Sequence, residues 1–437
     1  VERLEEHRAL ALIKSASGDE LSGVLFVDMR RGVFRFVRAK TVLLGTGGGP
    51  TMYRYHTPSG DKSMDGLAMA LRLGLPLRDM EMVQFHPTGL LGGAGTRMTG
   101  TVLEEGLRGA GGYLLDGQGR RFMFDYDKAG ERATRDIVSR AIYDEMRNGR
   151  TTPNGGVYIA MSHLGPDNVR ERFKGMVKRC ADCGFDLAGG RVEVVPTAHY
   201  LMGGLICDPE TRTELPGLYV AGEDAGGAHG SNRLGGNGVA NSTVYGGVAG
   251  DVMAEDATTQ AGSNGLARLR DPDETEIEAA IARARHPFTN KAGDVHDLRN
   301  RLMDMMWDDV GIMRTAEGLE RAQKRLAVFR SELMETGIPA GDLRFNLTWH
   351  DWLNLESLIE TSQVIAAAAL SRENSRGAHY REDFPDSGDL ETSYFTVVRR
   401  SEESTLDVAR EPVVFSIVKP GETLLEDEPG TLVAHMR

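Results

Sequence analysis

Apolar residues change period several times along the chain, and each change predicts a different kind of element. Between residues 21 and 46 the pattern is β: Leu21 to Asp28 reads as one strand, Met29 to Gly32 as a turn, and Val33 to Arg38 as a second, alternating strand. Thr41 to Leu44 is a short apolar run entering Gly45-Thr46-Gly47-Gly48-Gly49. A buried strand that runs into glycines lets backbone pass close to a ligand at the edge of an open α/β sheet. Asp65 to Leu73 predicts a helix, with Leu67, Ala68 and Leu71 on one side. From residue 81 to 199 glycine-rich turns alternate with helices, one from Arg135 to Met146 and another from Asp167 to Lys178. Residues 200 to 255 return to the first texture, with a short strand from Leu218 to Ala221 and then a long glycine-rich segment, Gly226 to Gly250. In 295–334 the residues Val295, Leu298, Leu302 and Met305 step by three and four, as do Leu319, Ala322, Leu326 and Phe329, and Leu353 to Leu370 continues the stripe. Such stripes predict a helical bundle with its methionines and aromatics in the core. Residues 376–437 are mixed and expected to be β-rich.

Composition narrows the class. A chain of 437 residues is too long for one core, so two or more domains are expected. The net charge of −13 argues against non-specific binding to nucleic acid or to an anionic membrane. The 54 glycines are clustered, which marks close approach of backbone to something else. Of the three cysteines, Cys180 and Cys183 form a C-x-x-C without further soft ligands nearby. They read as two thiols packed near a helix end, no metal site is expected, and the cysteine count suits a reducing compartment. No apolar run approaches a membrane span and no signal peptide is visible. The chain opens at Val1 with no initiator methionine, so the natural start is expected to be missing.

Six segments could carry chemistry. In Gln84-Phe85-His86-Pro87-Thr88-Gly89 the proline restricts His86 to extended backbone, which suits a ring that must be aimed. In Glu104-Glu105-Gly106-Leu107-Arg108, Glu105 and Arg108 are spaced to pair on one helical face; the bland alternative is a surface ion pair worth little. Thr134-Arg135-Asp136 opens a helix with Thr134 as N-cap, and a cation there opposes the helix dipole, so it is either solvated or held by something anionic. The remaining three are Pro196 to Gly204 around His199, Gly217 to Glu223, and His229 to Gly238 around Arg233. The last combines a cation with backbone stripped of side chains, a good place for an anion.

In this order the segments resemble the flavoprotein subunit family of succinate dehydrogenase and fumarate reductase, which includes L-aspartate oxidase. The resemblance runs through Thr46-Gly47-Gly48, Asp65-Gly66, Asp79-Met80-Glu81, His86-Pro87-Thr88-Gly89, Gly119-Arg120-Arg121-Phe122, Arg135-Asp136, His199-Tyr200, Asn232-Arg233-Leu234-Gly235-Gly236-Asn237, and Ser375-Arg376-Gly377-Ala378-His379. It implies a split, Rossmann-like α/β FAD-binding domain (1–80 and 200–262), an inserted α+β capping domain (81–199), a helical domain (268–375) and a small C-terminal domain (376–437). It implies FAD as cofactor, with contacts from Thr46, Gly47, Gly48, Asp65, Glu223, Asn237, Gly238 and Val239. His86, His199 and Arg233 would hold a dicarboxylate, Arg135 would exchange a proton with it, and Glu105 and Arg108 would feed that proton. Electrons would pass to an iron–sulfur partner, in a cytoplasmic protein that meets the membrane only through its partners. The family's amino-terminal strand–G-x-G-x-x-G–helix does not occur in these residues. Glu104 stands where the family typically has a threonine that helps bind a substrate carboxylate, and would repel that carboxylate at close range. L-aspartate oxidase chemistry and a catalytically silent flavin-fold scaffold are the alternatives.

Overall fold

The computed structural model describes residues 1–93, 96, 98–258, 267–339, 341–401, 403–420 and 422. Residues 259–262 and 423–437, assigned above to the FAD-binding and C-terminal domains, lie outside them. β1 (His7–Lys14), β2 (Leu21–Asp28) and β3 (Val33–Arg38) form an antiparallel sheet. Gly32 closes the expected 29–32 turn at φ 67°, a conformation glycine adopts without a Cβ clash. β1 adds to the expected strands. Its charged start, His7-Arg8, belongs to the fold because Arg8 donates to Asn354 Oδ1 at 2.7 Å and to Asp65 at 3.1 Å. β4 (Val42–Leu44) then enters the glycines, and α1 (Asp65–Arg72) buries Gly66 through Leu71. β5 (Leu77–Arg78) follows.

The next stretch builds a second sheet. β6 (Val83–Leu90), α2 (Gly106–Gly109), β7 (Tyr113–Leu115), α3 (Arg135–Arg147), β8 (Val157–Ala160), α4 (Pro166–Arg172), α5 (Lys174–Ala181) and β9 (Arg191–Leu201) follow in order, and the strands assemble as β6-β9-β8-β7. The single helix expected over 167–178 is two. Phe173, at φ −120° and ψ 37°, breaks it, and its ring is buried in the same core as Leu107 and Val169. A continuous helix would carry that ring past the core, so packing overrides local propensity. Cys180 is buried at the end of α5, where burial pushes its thiol up to about 12, and Cys183 is half-buried just beyond.

β10 (Gly204–Leu205) and β11 (Leu218–Val220) return the chain to the first region, where β11 pairs in parallel with β4. The glycine-rich segment ends in a helix, α6 (Asn237–Thr258), rather than continuing as a loop. Gly238, Gly246, Gly247 and Gly250 lie inside it, each about 1 kcal/mol less favourable than Ala, so composition hides the helix. α7 (Glu274–Arg285), α8 (Val295–Asp309), α9 (Ala316–Glu335) and α10 (Leu347–Ser371) are the helical bundle. Side chains of Asp273, Asp294, Thr315 and Asn346 accept backbone N–H groups at their N-termini, as capping requires. The apolar stripes of α8 and α9 are buried. β12 (Tyr394–Arg400) and β13 (Leu406–Pro412) form a hairpin in the sheet β10-β5-β12-β13. Among the described residues, no helix is long and apolar enough to cross a membrane.

Two apolar cores meet along β6 and β9. Phe85 and Ala198 belong to the larger core, with α1, α8, α9 and α10; Leu90 and Val194 belong to the core under the β6-β9-β8-β7 sheet. The chemistry-bearing residues gather at this junction.

Candidate functional site

Two β-bulges aim the histidines. Gln84 pairs with Tyr200 and Phe85 with Ala198, so His199 is an extra residue on β9. Three residues on, His86 pairs with Thr197 and Gly89 with Val195, so β6 carries an extra residue at Pro87-Thr88. Proline lacks the N–H a ladder needs and is accommodated at such a bulge. The bends bring the two imidazoles to 5.4 Å between centroids, edge to face. The Thr88 N–H donates to His86 Nδ1 at 3.3 Å. A backbone N–H can only donate, so in the neutral ring the proton sits on Nε2. His199 Nδ1 is engaged by the Thr57 hydroxyl at 2.8 Å, which leaves Nε2 for a ligand. Burial, followed by the charges of His199 and Arg135, holds His86 well below the usual imidazole range. Burial, then Arg233 and Arg135, pushes His199 down to about 4. At neutral pH both rings are therefore uncharged, and the positive charge of the site comes from arginines.

Arg135 is the first residue of α3. Glu105 Oε2 accepts from its Nε and Nη2 at 3.2 and 2.8 Å, and Gln84 Oε1 accepts from its Nη1 at 3.1 Å. The anion expected to hold this dipole-opposed cation is thus Glu105. Arg108 Nη2 donates to Glu105 Oε1 at 3.1 Å, and its Nη1 donates to the Glu131 carbonyl at 2.7 Å. The Glu105–Arg108 pair is only half at the surface: the Arg108 side chain is 2% exposed and that of Glu105 43%. Burial lowers the Arg108 pKa. Burial alone would raise Glu105, but the hydrogen bond and charge of Arg135, then Arg108, hold it below the ordinary carboxylate range. Thr134 occupies the N-cap position but does not cap: its hydroxyl donates to Asp136 Oδ1.

Arg233 is buried, its guanidinium 4.3 Å above the Tyr200 ring, and burial lowers its pKa. The Tyr200 hydroxyl lies 3.2 Å from His229 Nε2, and Asn241 reaches the same nitrogen at 3.2 Å. Gly235 passes so close that a Cβ there would sit 2.9 Å from Glu105 Oε2 and 3.3 Å from Arg135 Nη2. Glu104 is exposed and makes no hydrogen bond or ion pair among the described residues.

A cleft of about 740 Å³ runs from Arg135, His199 and Arg233 along Gly47, Glu223, Gly236, Gly238 and Val239. Thr46 and Gly47 are held from behind, since the Thr46 hydroxyl and the Gly47 N–H donate to Asp224. Burial pushes the Asp224 carboxyl up to about 7. Gly48 has no room for a side chain, as a Cβ would fall 2.3 Å from Glu223 Oε1. Asn237 opens α6 beside the cleft. Asp65 is not brought to the cleft lining; its carboxylate accepts from Arg8 and Ser63 instead. Sequence reasoning gave no role to Gln84, Asp224, Tyr200 or Asn241. Gln84 and Tyr200 flank the two histidines in sequence, which is the signal that could have found them.

A glycine-lined strand pair thus borders a cleft that ends on a cluster of arginines and neutral histidines. Residues 1–239 match the FAD binding domain family, and residues 299–424 match the family described as fumarate reductase flavoprotein C-term. The chain is 40% identical to a polypeptide of the fumarate reductase (CoM/CoB) of Methanothermobacter marburgensis, over 80% of this chain and 62% of that one. It is 36% identical to L-aspartate oxidase 1 of Ralstonia nicotianae, over 87% of this chain and 68% of the relative. The solved structure of a mutated E. coli quinol fumarate reductase FrdA superposes with a TM-score of 0.86 at 31% identity, covering 96% of this chain and 73% of the other. The chain belongs to the FAD-dependent fumarate reductase and succinate dehydrogenase flavoprotein family, and spans 62% to 68% of the length of these two curated relatives. FAD is its cofactor. The residues fit that group: the cleft is long, glycine at 48 is required by contact, and side chains do not crowd Gly236 or Gly47.

Proposed function

We propose that the chain is the flavoprotein part of a succinate dehydrogenase or fumarate reductase type enzyme, interconverting a saturated and an unsaturated dicarboxylate. The observation that carries this reading is the unbroken chain Arg135–Glu105–Arg108 at one end of the cleft. Bound FAD supplies the two-electron chemistry, exchanging a hydride equivalent with the substrate. His86 and His199 donate Nε2–H bonds to substrate carboxylates, and Arg233 supplies the fixed charge against them. Such preorganised donors also polarise the carbon–carbon double bond. Arg135 gives or takes the proton. A guanidinium has a pKa above about 12 and is a poor acid, so its proton must be replaced at once. Glu105, 2.8 Å from Nη2, is placed to do so and is itself supplied through Arg108. Thr46, Gly47, Gly48, Glu223, Asn237, Gly238 and Val239 bound the cofactor's side of the cleft.

The same reading divides the chain into an FAD-binding domain (1–80 and 200–262), a capping domain (81–199), a helical domain (268–375) and a C-terminal domain (376–437). Electrons leave to an iron–sulfur partner, since three cysteines cannot build clusters in this chain. That partner carries any membrane contact of an otherwise cytoplasmic protein. Arg135→Gln and Arg135→Lys are expected to keep FAD and abolish turnover; normal turnover in either overturns the assignment. A second reading, L-aspartate oxidase, is favoured by one observation: the exposed carboxylate of Glu104, adjacent to Glu105, suits an ammonium group. Assays of succinate, fumarate and L-aspartate side by side separate the two.

A further inference from the structure

Gln84 joins the two arginines. Its side chain is buried where β6, α3 and the 231–235 segment meet. Its amide orientation is settled at both ends. Oε1 faces Arg135 Nη1, which can only donate, at 3.1 Å. Nε2 faces the Arg233 carbonyl, which can only accept, at 2.7 Å. The same Nε2 donates to Asn232 Oδ1 at 3.0 Å, and Asn232 Nδ2 donates to Asp136 Oδ1 at 2.8 Å. The bonds thus run one way, from Arg135 through Gln84 and Asn232 to Asp136. Asp136 is the next residue of α3, so the chain closes on itself.

This closure has an electrostatic reason. Arg135 and Arg233 are like charges, and that of Arg135 helps to lower the Arg233 pKa after burial. Glu105 restrains Arg135 on its Nε and Nη2 side only. On the Nη1 side the neutral amide of Gln84 accepts from Arg135 and grips the backbone of Arg233, so it sets their separation without adding charge. The Asn232–Asp136 bond ties the start of α3 to the same segment, and Arg140 extends the tie. It pairs with Asp136 at 3.1 Å and donates to the Gly377 carbonyl at 3.1 Å.

We infer that Gln84 is the positioning residue that registers the proton-exchanging Arg135 against the carboxylate-holding Arg233, acting through a hydrogen-bonded ring with Asn232 and Asp136. The inference rests on the proposed dicarboxylate chemistry. Gln84→Leu keeps the volume and removes the ring. In the full-length holoenzyme it is expected to lower kcat for fumarate about 30-fold or more, since an ångström of misplacement costs about 100-fold. The fumarate KM should change less than about three-fold, because the histidines and the Arg233 charge remain. Gln84→Glu keeps an acceptor for Arg135 but puts an oxygen against the Arg233 carbonyl and Asn232 Oδ1, so it should lower kcat as Gln84→Leu does, again with little change in KM. A purely structural role would lower both variants only in proportion to lost flavin or lowered Tm; that result overturns the inference. So does a kcat for Gln84→Leu within two-fold of the parent. Arg135→Gln, run alongside, separates the two failures. If it turns over normally the proposed chemistry falls; if it is inactive while Gln84→Leu is fully active, only the role of Gln84 falls.

Discussion

Gly235→Ala is the most discriminating small change that the site offers. The added methyl carbon would lie 2.9 Å from Glu105 Oε2 and 3.3 Å from Arg135 Nη2, whereas ordinary contact begins near 3.4 Å, so the Glu105–Arg135 pair must retreat by about half an ångström. The backbone itself does not resist the substitution, because Gly235 is not among the glycines at positive φ. No charge changes, and no hydrogen-bonding group is removed. Displacement by an ångström costs about 100-fold in rate, so half of that corresponds to roughly ten-fold, or about 1.4 kcal/mol in the barrier. The assay is steady-state fumarate reduction with flavin content measured on the same sample. The expected result is kcat down about ten-fold, with a KM that follows His86, His199 and Arg233 and so stays nearly constant. A kcat within two-fold of the parent at equal flavin content would show that the pair can move without consequence, and would refute the idea that its placement limits the proton step.

Other perturbations read other parts of the site. Asp224→Ala removes the acceptor for both the Thr46 hydroxyl and the Gly47 N–H. It should cost up to about 1 kcal/mol per half-buried donor left unpaired and weaken FAD retention, while Asp224→Asn, which keeps an acceptor, should lose less; equal retention of FAD by all three proteins contradicts the clamp. His199, pushed down to about 4, is neutral when folded but protonated when unfolded between pH 4 and its ordinary value near 6.5. The unfolded state then binds more protons, so this residue's contribution is full above about pH 6.5 and is lost as pH falls toward 4, about 3 kcal/mol at most. The stability difference between the parent and His199→Asn should therefore shrink on acidification across that window; taking the difference cancels Asp79 and Asp224, whose raised values act in the opposite direction. Trp349→Ala should destabilise by about 3–5 kcal/mol, since the ring is fully buried and its Nε1–H donates to the Ala284 carbonyl at 2.7 Å; chemical denaturation showing under 1 kcal/mol would contradict the packing.

Elements with strong periodicity were legible because one physical term dominates them. The stripes of α8 and α9 and the alternation of β3 follow from which face is buried. Three elements were not. β1 starts on charges whose partners, Asn354 and Asp65, are far away in sequence. α6 is built on glycines that forgo propensity. The break at Phe173 is decided by a core that local pattern does not contain. At the site, the residue types were readable and their couplings were not. That Glu105 is shared by two arginines depends on α2 and α3 meeting, and the role of Asp224 depends on β4 lying beside β11. Asp65 was readable as a motif position, but its ion pair with Arg8, 57 residues away, was not.

The protonation states sharpen what the cleft can hold. With His86 and His199 neutral, the fixed positive charge at this end of the cleft comes from three guanidinium groups, Arg108, Arg135 and Arg233, with Glu105 between the first two and Glu223 acting on Arg233. The balance stays positive, which favours a dicarboxylate dianion. An amino dicarboxylate brings a net charge of one, and its ammonium would face that excess unless Glu104 turns inward. Glu104 therefore decides between the two proposed chemistries by charge rather than by shape. Glu104→Thr should leave or improve the KM for fumarate and weaken L-aspartate about ten-fold or more, the scale of one desolvated charge pair. If L-aspartate turnover is absent in the parent and fumarate turnover is unchanged in the variant, the carboxylate at 104 stays in solvent and the dianion reading stands alone. If instead the variant loses fumarate reduction, Glu104 supports the site in a way that its exposure does not explain, and the charge argument fails.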